Sequence, residues 1–335
     1  MGGETPTIHD VAARAGVSIR TVSRVINRSP KVNAATRDAV ERVIDALGFV
    51  PSLRARALAT GRSFLIGLVH DDPNALVLDA VQRGIVAACV ARGYEMVVHP
   101  AQGGGNAVIT DVTAFARRSR VDGIILLPPV CEAAGLGAAL TMPSIAFAAA
   151  RIAGYPAMLV SNERESAAEM ARHLLSLGHR RIAMVTGPAG LLSAEERRAG
   201  FAQALAQAGV PLDPALVEWG DYGFESGVAA AERLLAHQPR PSAIFASNDV
   251  MAAGVLKVAA RMGLAVPRAL SVAGFDGSAL ATMLTPALTT VARPLADMAE
   301  RAAHQLIDRL EGLAEASDVT ATLALSIGES TGSAA

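Results

Sequence analysis

The stretch GVSIRTVSRVINRSPKVNAATRDAV (residues 16–40) places arginines at positions 20, 24 and 28, each four residues from the next. Residues four apart lie along the same side of an α-helix, so these arginines share one face. The opposite face carries apolar side chains, namely Val22, Val25 and Ile26. The pattern therefore predicts a short helix that packs on a core by one face and offers the other to a negatively charged partner.

The residues around this helix predict a second helix before it and a tight turn between the two. Thr7 is suited to cap the first helix, with Asp10 three positions on as the acid of a capping box. Gly16 can end that helix in a left-handed conformation, and Ser18 can cap the next one. Two short helices joined by a turn as short as AGVS are typical of a helix-turn-helix unit.

A third helix is expected to begin after Asn33, run to about Leu47 and end at Gly48. In a helix-turn-helix unit the second helix lies in the major groove, with its first side chains against the base edges. Arg20 and Arg24 can then bind either guanine or phosphate, and Ile19 offers only an apolar contact. The predicted DNA-binding residues of this unit are Thr7, Ser18, Ile19, Arg20, Thr21, Ser23, Arg24 and Asn27.

The bulk composition supports the same division of the chain. Residues 1–62 hold ten Lys/Arg against five Asp/Glu, and the rest of the 335 residues hold twenty against twenty-six, so a basic head precedes an acidic body. With 51% hydrophobic residues the chain is expected to fold into two or three domains. No secretory signal, membrane span, metal-ligand spacing or enzyme motif is recognisable, which favours a non-enzyme in the cytoplasm with no metal site.

The head is similar in sequence to one known family. The segment DVAARAGVSIRTVSRVIN (residues 10–27), with the residues that follow up to 63, resembles the N-terminus of the lactose-repressor (LacI/GalR) family of bacterial transcription regulators. The resemblance implies a helix-turn-helix domain over residues 1–50 and a hinge helix over 51–62. It also implies that Leu58 wedges between base steps in the minor groove, with Ala55 and Arg56 beside it. The family often has Asn after the proline, where this chain has Ser52.

The remainder, residues 63–335, alternates apolar runs with helical segments. This alternation predicts parallel sheets covered by helices on both faces. A second series of strands and helices begins near residue 160, which predicts two lobes, and residues 319–330 are expected to add one terminal strand. The resemblance implies the same fold class: an all-α helix-turn-helix head followed by an α/β two-lobed core like that of periplasmic binding proteins, with crossing hinge strands.

Ligands of such sheets bind beyond the carboxyl ends of the strands, so the cleft between the lobes is the expected site. Asp72 and Asn74 follow the first strand and are expected to face the ligand. The resemblance adds five residues from the second half, namely Arg197, Tyr222, Asn248, Asp276 and Arg293. One departure is Ala148, which stands where many sugar-binding members of the family have a polar residue.

Together these features predict a DNA-binding repressor whose operator affinity is controlled by a small ligand. A sugar or glycoside that releases the DNA is favoured, although corepression also fits the sequence, and a purine is the alternative ligand. Two aromatic walls in the cleft would favour the purine. The alternative from another class of protein is a sugar-binding receptor that has no role on DNA. The basic head disfavours this alternative. The expected partners are operator DNA, the effector and a second copy in a homodimer; no cofactor is expected.

Overall fold

A computed structural model describes residues 6–26, 29, 31–49, 57, 60–72, 74–103 and 105–334. The chain divides into two compact units, residues 1–64 and residues 65–335. Each unit has its own hydrophobic core. They are therefore described one at a time, the smaller unit first.

The smaller unit contains three helices: α1 (Ile8–Ala15), α2 (Ile19–Ile26) and α3 (Ala34–Leu47). The Asp10 carboxylate accepts a hydrogen bond from the Thr7 backbone N–H at 2.7 Å, as expected for a capping box. The Asn33 side chain accepts from the Thr36 N–H at 2.8 Å and so caps α3. Gly16 has a φ of 66°, a left-handed conformation that ends α1 and permits the tight turn.

The core of this unit is small and consists of residues that the helical spacing predicts. Its fully buried members are Val11, Ala12, Val22, Val25 and Val40. The two valines of α2 lie on the face opposite its arginines, so the helix packs as the sequence indicates. The predicted hinge helix over residues 51–62 lies almost wholly outside the described residues.

The larger unit alternates strands and helices throughout. Its described strands are β1 (Leu65–His70), β2 (Glu95–Pro100), β3 (Gly123–Leu126), β4 (Ser144–Ala148), β5 (Met158–Ser161), β6 (Ile182–Thr186), β7 (Val217–Trp219), β8 (Ala243–Ala246), β9 (Ser271–Asp276), β10 (Thr289–Ala292), β11 (Val319–Ala321) and β12 (Ala324–Ser326). Its helices are α4 (Ala75–Arg92), α5 (Asn106–Ser119), α6 (Leu136–Ala139), α7 (Glu163–Ser176), α8 (Leu192–Gln207), α9 (Phe224–Ala236), α10 (Asp249–Arg261), α11 (Ala279–Met283) and α12 (Leu295–Glu311). Single 3-10 turns occur at Val130–Glu132 and Pro214–Leu216.

The strands form two sheets, one in each lobe. The first has the order β11-β5-β4-β3-β1-β2, and all its strands are parallel. The second has the order β12-β10-β9-β8-β6-β7 and is parallel except for the β10–β12 pair. Central strands such as β4 and β9 are buried along their whole length, because helices cover both faces. The predicted fold class is confirmed.

The order of elements along the sequence suggested that the first series forms one lobe and the second series the other. The structure differs, because the first lobe also contains elements of the second series. Strand β5, placed in the second series by the sequence, is in the first sheet, whereas the next helix, α7, packs on α8 in the second lobe. Helix α12 then returns to pack on α4 and β3 of the first lobe. The predicted single terminal strand is two short strands, β11 in the first sheet and β12 in the second. The chain therefore crosses between the lobes three times.

Glycines allow two pairs of helices to approach closely, one pair in each lobe. A Cβ on Gly84 of α4 would lie 2.0 Å from the backbone oxygen of Ala296 in α12. A Cβ on Gly200 of α8 would lie 1.9 Å from the backbone oxygen of Arg164 in α7. Both distances are far below contact distance, so a side chain at either position would force the helices apart.

Candidate functional sites: a cationic helix and an interlobe cavity

Helix α2 presents a polar, cationic face at the surface of the smaller unit. Arg20 is exposed and Arg24 half-buried, and Ile19 at the start of the helix is 40% exposed. An exposed apolar side chain beside arginines suits contact with base edges, where a thymine methyl offers an apolar partner. The face that the sequence singled out is thus available for binding.

Three of the predicted DNA contacts, Thr7, Ser18 and Thr21, also stabilise the local fold. The Ser18 hydroxyl accepts from the Thr21 N–H at 3.1 Å and lies 2.9 Å from the Thr21 hydroxyl. The Thr7 hydroxyl donates to Asp10 at 2.7 Å. These hydroxyls are fixed in position by the helix starts, and Ser23 is half-buried on the same helix. The other predicted contacts, which are Asn27, Ala55, Arg56 and Leu58, lie outside the described residues.

In the larger unit, a cavity of about 480 Å³ lies between the carboxyl ends of the strands of the two sheets. Its wall includes all seven residues that the sequence analysis proposed, namely Asp72, Asn74, Arg197, Tyr222, Asn248, Asp276 and Arg293. They come from six segments of the chain that are separated in the sequence. The structure therefore brings the predicted ligand residues together, although their contacts with a ligand stay a prediction.

Arg197 of α8 is a deeply buried charge in this wall, at 3% exposure. Its Nε donates to a carboxylate oxygen of Glu163 at 2.7 Å, and its Nη1 donates to the backbone oxygen of Ser247. The guanidinium also lies over the ring of Phe275, with Cζ 3.9 Å from the ring centroid. Two of the five N–H donors of Arg197 are therefore already hydrogen-bonded within the protein.

Arg293 completes a buried network of two arginines and two carboxylates. Its Nη1 lies 3.1 Å from Oδ1 of Asp276 and its Nη2 lies 3.5 Å from Oε1 of Glu163. Nη2 of Arg197 lies 3.8 Å from the same Asp276 oxygen. Asp276 has a φ of 115°, a conformation that side chains rarely adopt and that tends to persist at functional sites. The Arg293 Nε is buried without a hydrogen-bond partner.

The network affects the ionisation of Glu163. Burial favours the neutral form of Glu163, but Arg197 and Arg293 outweigh it and hold the pKa of Glu163 below its ordinary value. Asp72, from the first lobe, behaves in the opposite way: burial raises its pKa, with Asp276 adding to the effect. Negative charge is therefore favoured at Glu163 and disfavoured at Asp72.

The two asparagines that the sequence analysis proposed are engaged in helix starts. The Asn74 side chain accepts from the Leu76 N–H and caps α4. The Asn248 side chain accepts from the Met251 N–H at 2.8 Å and donates to the Tyr222 backbone oxygen at 2.9 Å. Asn248 thus both caps α10 and fixes the loop that carries Tyr222.

The remaining wall is largely apolar. It contains aliphatic residues together with Phe147, Ala148 and Ala149 at the end of β4. On the opposite side, the Tyr222 hydroxyl lies 3.1 Å from the Ser193 hydroxyl. Trp219 is 49% exposed and is not among the lining residues. The cavity thus combines a charged side with an apolar side, and Ala148 lies on the latter.

Several lining residues were not predicted from the sequence, chiefly Glu132, Glu163, Ser193 and Asp221. Glu163 is the second residue after β5, so an acid just beyond a buried strand was the signal that could have found it. Glu132 lies in a 3-10 turn that has no periodic pattern, and the sequence gives no comparable signal for it. Among the described residues, no group of three His, Cys, Asp or Glu side chains is arranged to hold a metal ion.

Comparison with known proteins agrees with both units. Residues 7–52 match the family described as "Bacterial regulatory proteins, lacI family", and residues 171–331 match a "Periplasmic binding protein-like domain". The transcriptional regulator CelR of Thermobifida fusca is 35% identical over 324 residues, covering 92% of each chain. The ribose operon repressor of Escherichia coli K12 is 32% identical over 309 residues, covering 91% of this chain and 93% of that protein.

Solved structures give the same result. A CelR–cellobiose complex has a TM-score of 0.70 and 31% identity, covering 97% of this chain and 99% of that one. A lac repressor dimer bound to operator and the anti-inducer ONPF has a TM-score of 0.79 and 27% identity, covering 98% and 100%. A DNA-reading helical unit joined to a two-lobed binding core defines a ligand-responsive transcriptional regulator. The chain belongs to the LacI family, whose regulators bind operator DNA and small-molecule effectors.

The family membership settles the general activity. The relatives are named transcriptional regulators and repressors, so this protein is a DNA-binding transcriptional regulator and not an enzyme. No helix in the described parts of the chain is long and apolar enough to cross a membrane.

Proposed function

We propose that the effector is an uncharged, hydroxyl-rich molecule, a sugar or glycoside, and that its binding releases the operator. The observation that carries this proposal is the charge of the cavity wall. Six carboxyl groups line it, on Asp71, Asp72, Glu132, Glu163, Asp221 and Asp276, against two guanidinium groups. Both arginines are already paired with Glu163 and Asp276. A phosphate or carboxylate on the ligand would therefore meet excess negative charge, whereas hydroxyl groups find acceptors.

Two comparisons support a carbohydrate, because one similar structure contains cellobiose and one relative represses a ribose operon. A purine remains the second candidate, because two aromatic side chains, Phe147 and Tyr222, line the cavity. A planar base can stack on aromatic rings, and an uncharged base would also avoid the electrostatic penalty. The two candidate ligands would use different parts of the wall. A sugar would donate hydrogen bonds from its many hydroxyl groups, whereas a purine would stack its flat ring on an aromatic side chain.

The proposal also includes a homodimer, for which the lac repressor dimer is the precedent. One helix-turn-helix unit makes few base contacts, and two linked units bind two half-sites with a gain from effective concentration. The ligand changes operator affinity only if it binds one arrangement of the protein more tightly than the other, and the operator then changes ligand affinity by the same factor. Because its partner is the bacterial chromosome, we place the protein in the cytoplasm.

Fluorescence anisotropy with duplexes from upstream of its own and neighbouring genes tests this proposal. A panel of neutral sugars, their 6-phosphates and purine bases is titrated against the protein–DNA complex. We expect a neutral sugar or glycoside to release the duplex and its phosphate to have no effect at the same concentration. A purine that changes the affinity while every sugar fails would establish the second candidate, and release by a sugar phosphate would contradict the charge argument.

Asp72→Asn is the variant of choice for the ligand site. It removes a carboxylate that lies in the wall without belonging to the buried arginine network. We expect Asp72→Asn to weaken the response to the effector while leaving the affinity for the operator in its absence unchanged. Asp213→Asn, a carboxylate that caps a turn away from the cavity, serves as the matched control.

A further inference from the structure

Leu192 is a residue of the second lobe that packs on the core of the first. It begins α8, whose next turns are buried in the second lobe through Ala194 and Phe201. The Leu192 side chain, however, packs against the apolar cluster around Val130, Leu136 and other first-lobe residues. Leu192 is the exception in this cluster. The buried residues of the cluster and the other partly buried residues that pack on it come from the first lobe.

The backbone of the same residue is held by a side chain from the first lobe. Glu132 Oε2 accepts a hydrogen bond from the Leu192 N–H at 3.0 Å. The first N–H groups of a helix have no partner inside the helix, and a carboxylate there is also favoured by the helix dipole. Glu132 lies in the 3-10 turn Val130–Glu132, next to the residues on which the Leu192 side chain packs. One residue thus makes an apolar and a polar contact across the cleft.

These contacts matter because of what else α8 carries. Ser193 directly follows Leu192, and Arg197 lies one turn further on; both line the cavity. A rigid helix whose first residue is fixed to the opposite lobe carries these two side chains with it. We infer that Leu192 and Glu132 are positioning residues, which hold the two lobes closed across the cleft and thereby place Ser193 and Arg197 against the ligand.

The inference rests on the proposed function only in assuming that a ligand uses the closed cleft. It predicts that removal of either contact shifts the lobes toward an open arrangement even without ligand. Leu192→Ala removes most of the apolar contact, and Glu132→Ala removes the hydrogen bond. Glu132→Gln keeps an oxygen that can accept from the Leu192 N–H, and should therefore restore closure.

The distance between spin labels on the two lobes measures closure directly in the full-length protein. Thr110 in α5 and Glu225 in α9 are exposed, so Thr110→Cys and Glu225→Cys provide one label on each lobe. The native thiols, Cys89 and Cys131, are buried and compete little for the label. We expect longer distances in Leu192→Ala and Glu132→Ala than in the parent, and unchanged distances in Glu132→Gln.

Leu264→Ala is the matched control, because Leu264 is also partly buried but packs only on the second-lobe core. It should lower stability without changing the distance. With an effector from the panel above, Glu132→Ala should also lose roughly fivefold in affinity, the equivalent of one hydrogen bond. Unchanged distances in both Leu192→Ala and Glu132→Ala would overturn the inference, whether or not any sugar proves to be the effector. If Leu192→Ala does not fold, the label distances in Glu132→Ala and Glu132→Gln are sufficient to test the inference.

Discussion

Arg197 and Glu163 form an ion pair with 2.7 Å between Nε and Oε2, and the two residues are 3% and 1% exposed. Arg197 follows a turn that contacts the first lobe, and Glu163 begins the first helix after the chain enters the second. The pair therefore stabilises the second lobe at the point where the ligand is expected to bind. A change at Arg197 will affect folding as well as ligand binding, which is why Asp72 is the cleaner test of the ligand site.

Glu163→Gln should destabilise the protein by about 3–5 kcal/mol, because it leaves the buried guanidinium groups of Arg197 and Arg293 without their shared carboxylate. Urea unfolding at neutral pH measures the change. Glu165→Gln breaks the exposed pair with Arg172 and should cost less than about 1 kcal/mol. Equal losses in the two variants would show that the buried network does not contribute as its geometry indicates.

Arg24→Ala should weaken operator binding by about 1–3 kcal/mol if the side chain reads a guanine, with the largest loss on the natural sequence. If it binds phosphate, the loss should be similar on every duplex, and the dependence of affinity on salt should become less steep. Anisotropy titrations at several salt concentrations separate these outcomes. Arg117→Ala, an exposed arginine of the larger unit, is the control. Unaltered DNA affinity in Arg24→Ala would refute the role given to α2.

Asp249 should make the stability of the larger unit depend on pH. Burial, with the nearby charge of Asp276, raises its pKa to about 7, against an ordinary value of 3.8, despite hydrogen bonds from Ser278 and Thr290. The folded state therefore binds a proton more tightly than the unfolded state, and stability from this group falls as the pH rises from about 4 to about 7. Above about 7 the contribution is constant.

The variant Asp249→Asn removes this titration. Urea unfolding at pH 5 and pH 8 should show a larger loss of stability on going to pH 8 in the parent than in Asp249→Asn. The variant will be less stable overall, because its single amide oxygen cannot replace both carboxylate oxygens, one of which accepts from Ser278 and the other from Thr290. The comparison therefore uses the difference between the two pH values, and parallel profiles would contradict the raised pKa.

Gly84→Ala should destabilise the first lobe, because the added Cβ would meet the Ala296 backbone oxygen at 2.0 Å. Overpacking of this kind typically costs about 1–3 kcal/mol. Gly123→Ala is the comparison, since the nearest atoms to its Cβ would belong to the Leu306 side chain, at 3.1 Å, and not to backbone. Thermal unfolding should therefore show a greater loss for Gly84→Ala, and the reverse order would exclude close helix packing as the role of Gly84.

The sequence predicted the local structure better than its assembly. Alternation of apolar runs and helical spacing identified the main strands of both sheets, since each pattern depends only on neighbouring residues. It did not show that β5 and α12 belong to the first lobe, because nothing in the periodicity of a strand specifies which sheet it joins. The caps at Asp10 and Asn33 were predictable because their hydrogen-bond partners are only three residues away in the sequence. The crossings between the lobes were not predictable, because they depend on contacts between residues that are distant in the sequence.

The candidate site shows the same limit. The residues proposed for the ligand all follow strands or lie in motifs that resemble a known family, and the cavity contains all of them. Glu132 was not predictable, because its importance comes from a partner sixty residues later in the other lobe. Glu163 was missed although it follows a strand, because its neighbourhood also reads as an ordinary helix start.

The return of α12 and β11 to the first lobe affects the order in which the chain can fold on the ribosome. Residues 65–161 supply five of the six strands of the first sheet, but the helix that packs on α4 is synthesised only with residues 295–311. The second lobe has nearly all its parts by residue 292. During translation, therefore, the first lobe lacks α12 until most of the second lobe has been synthesised, and the apolar surface that α12 covers stays exposed until then.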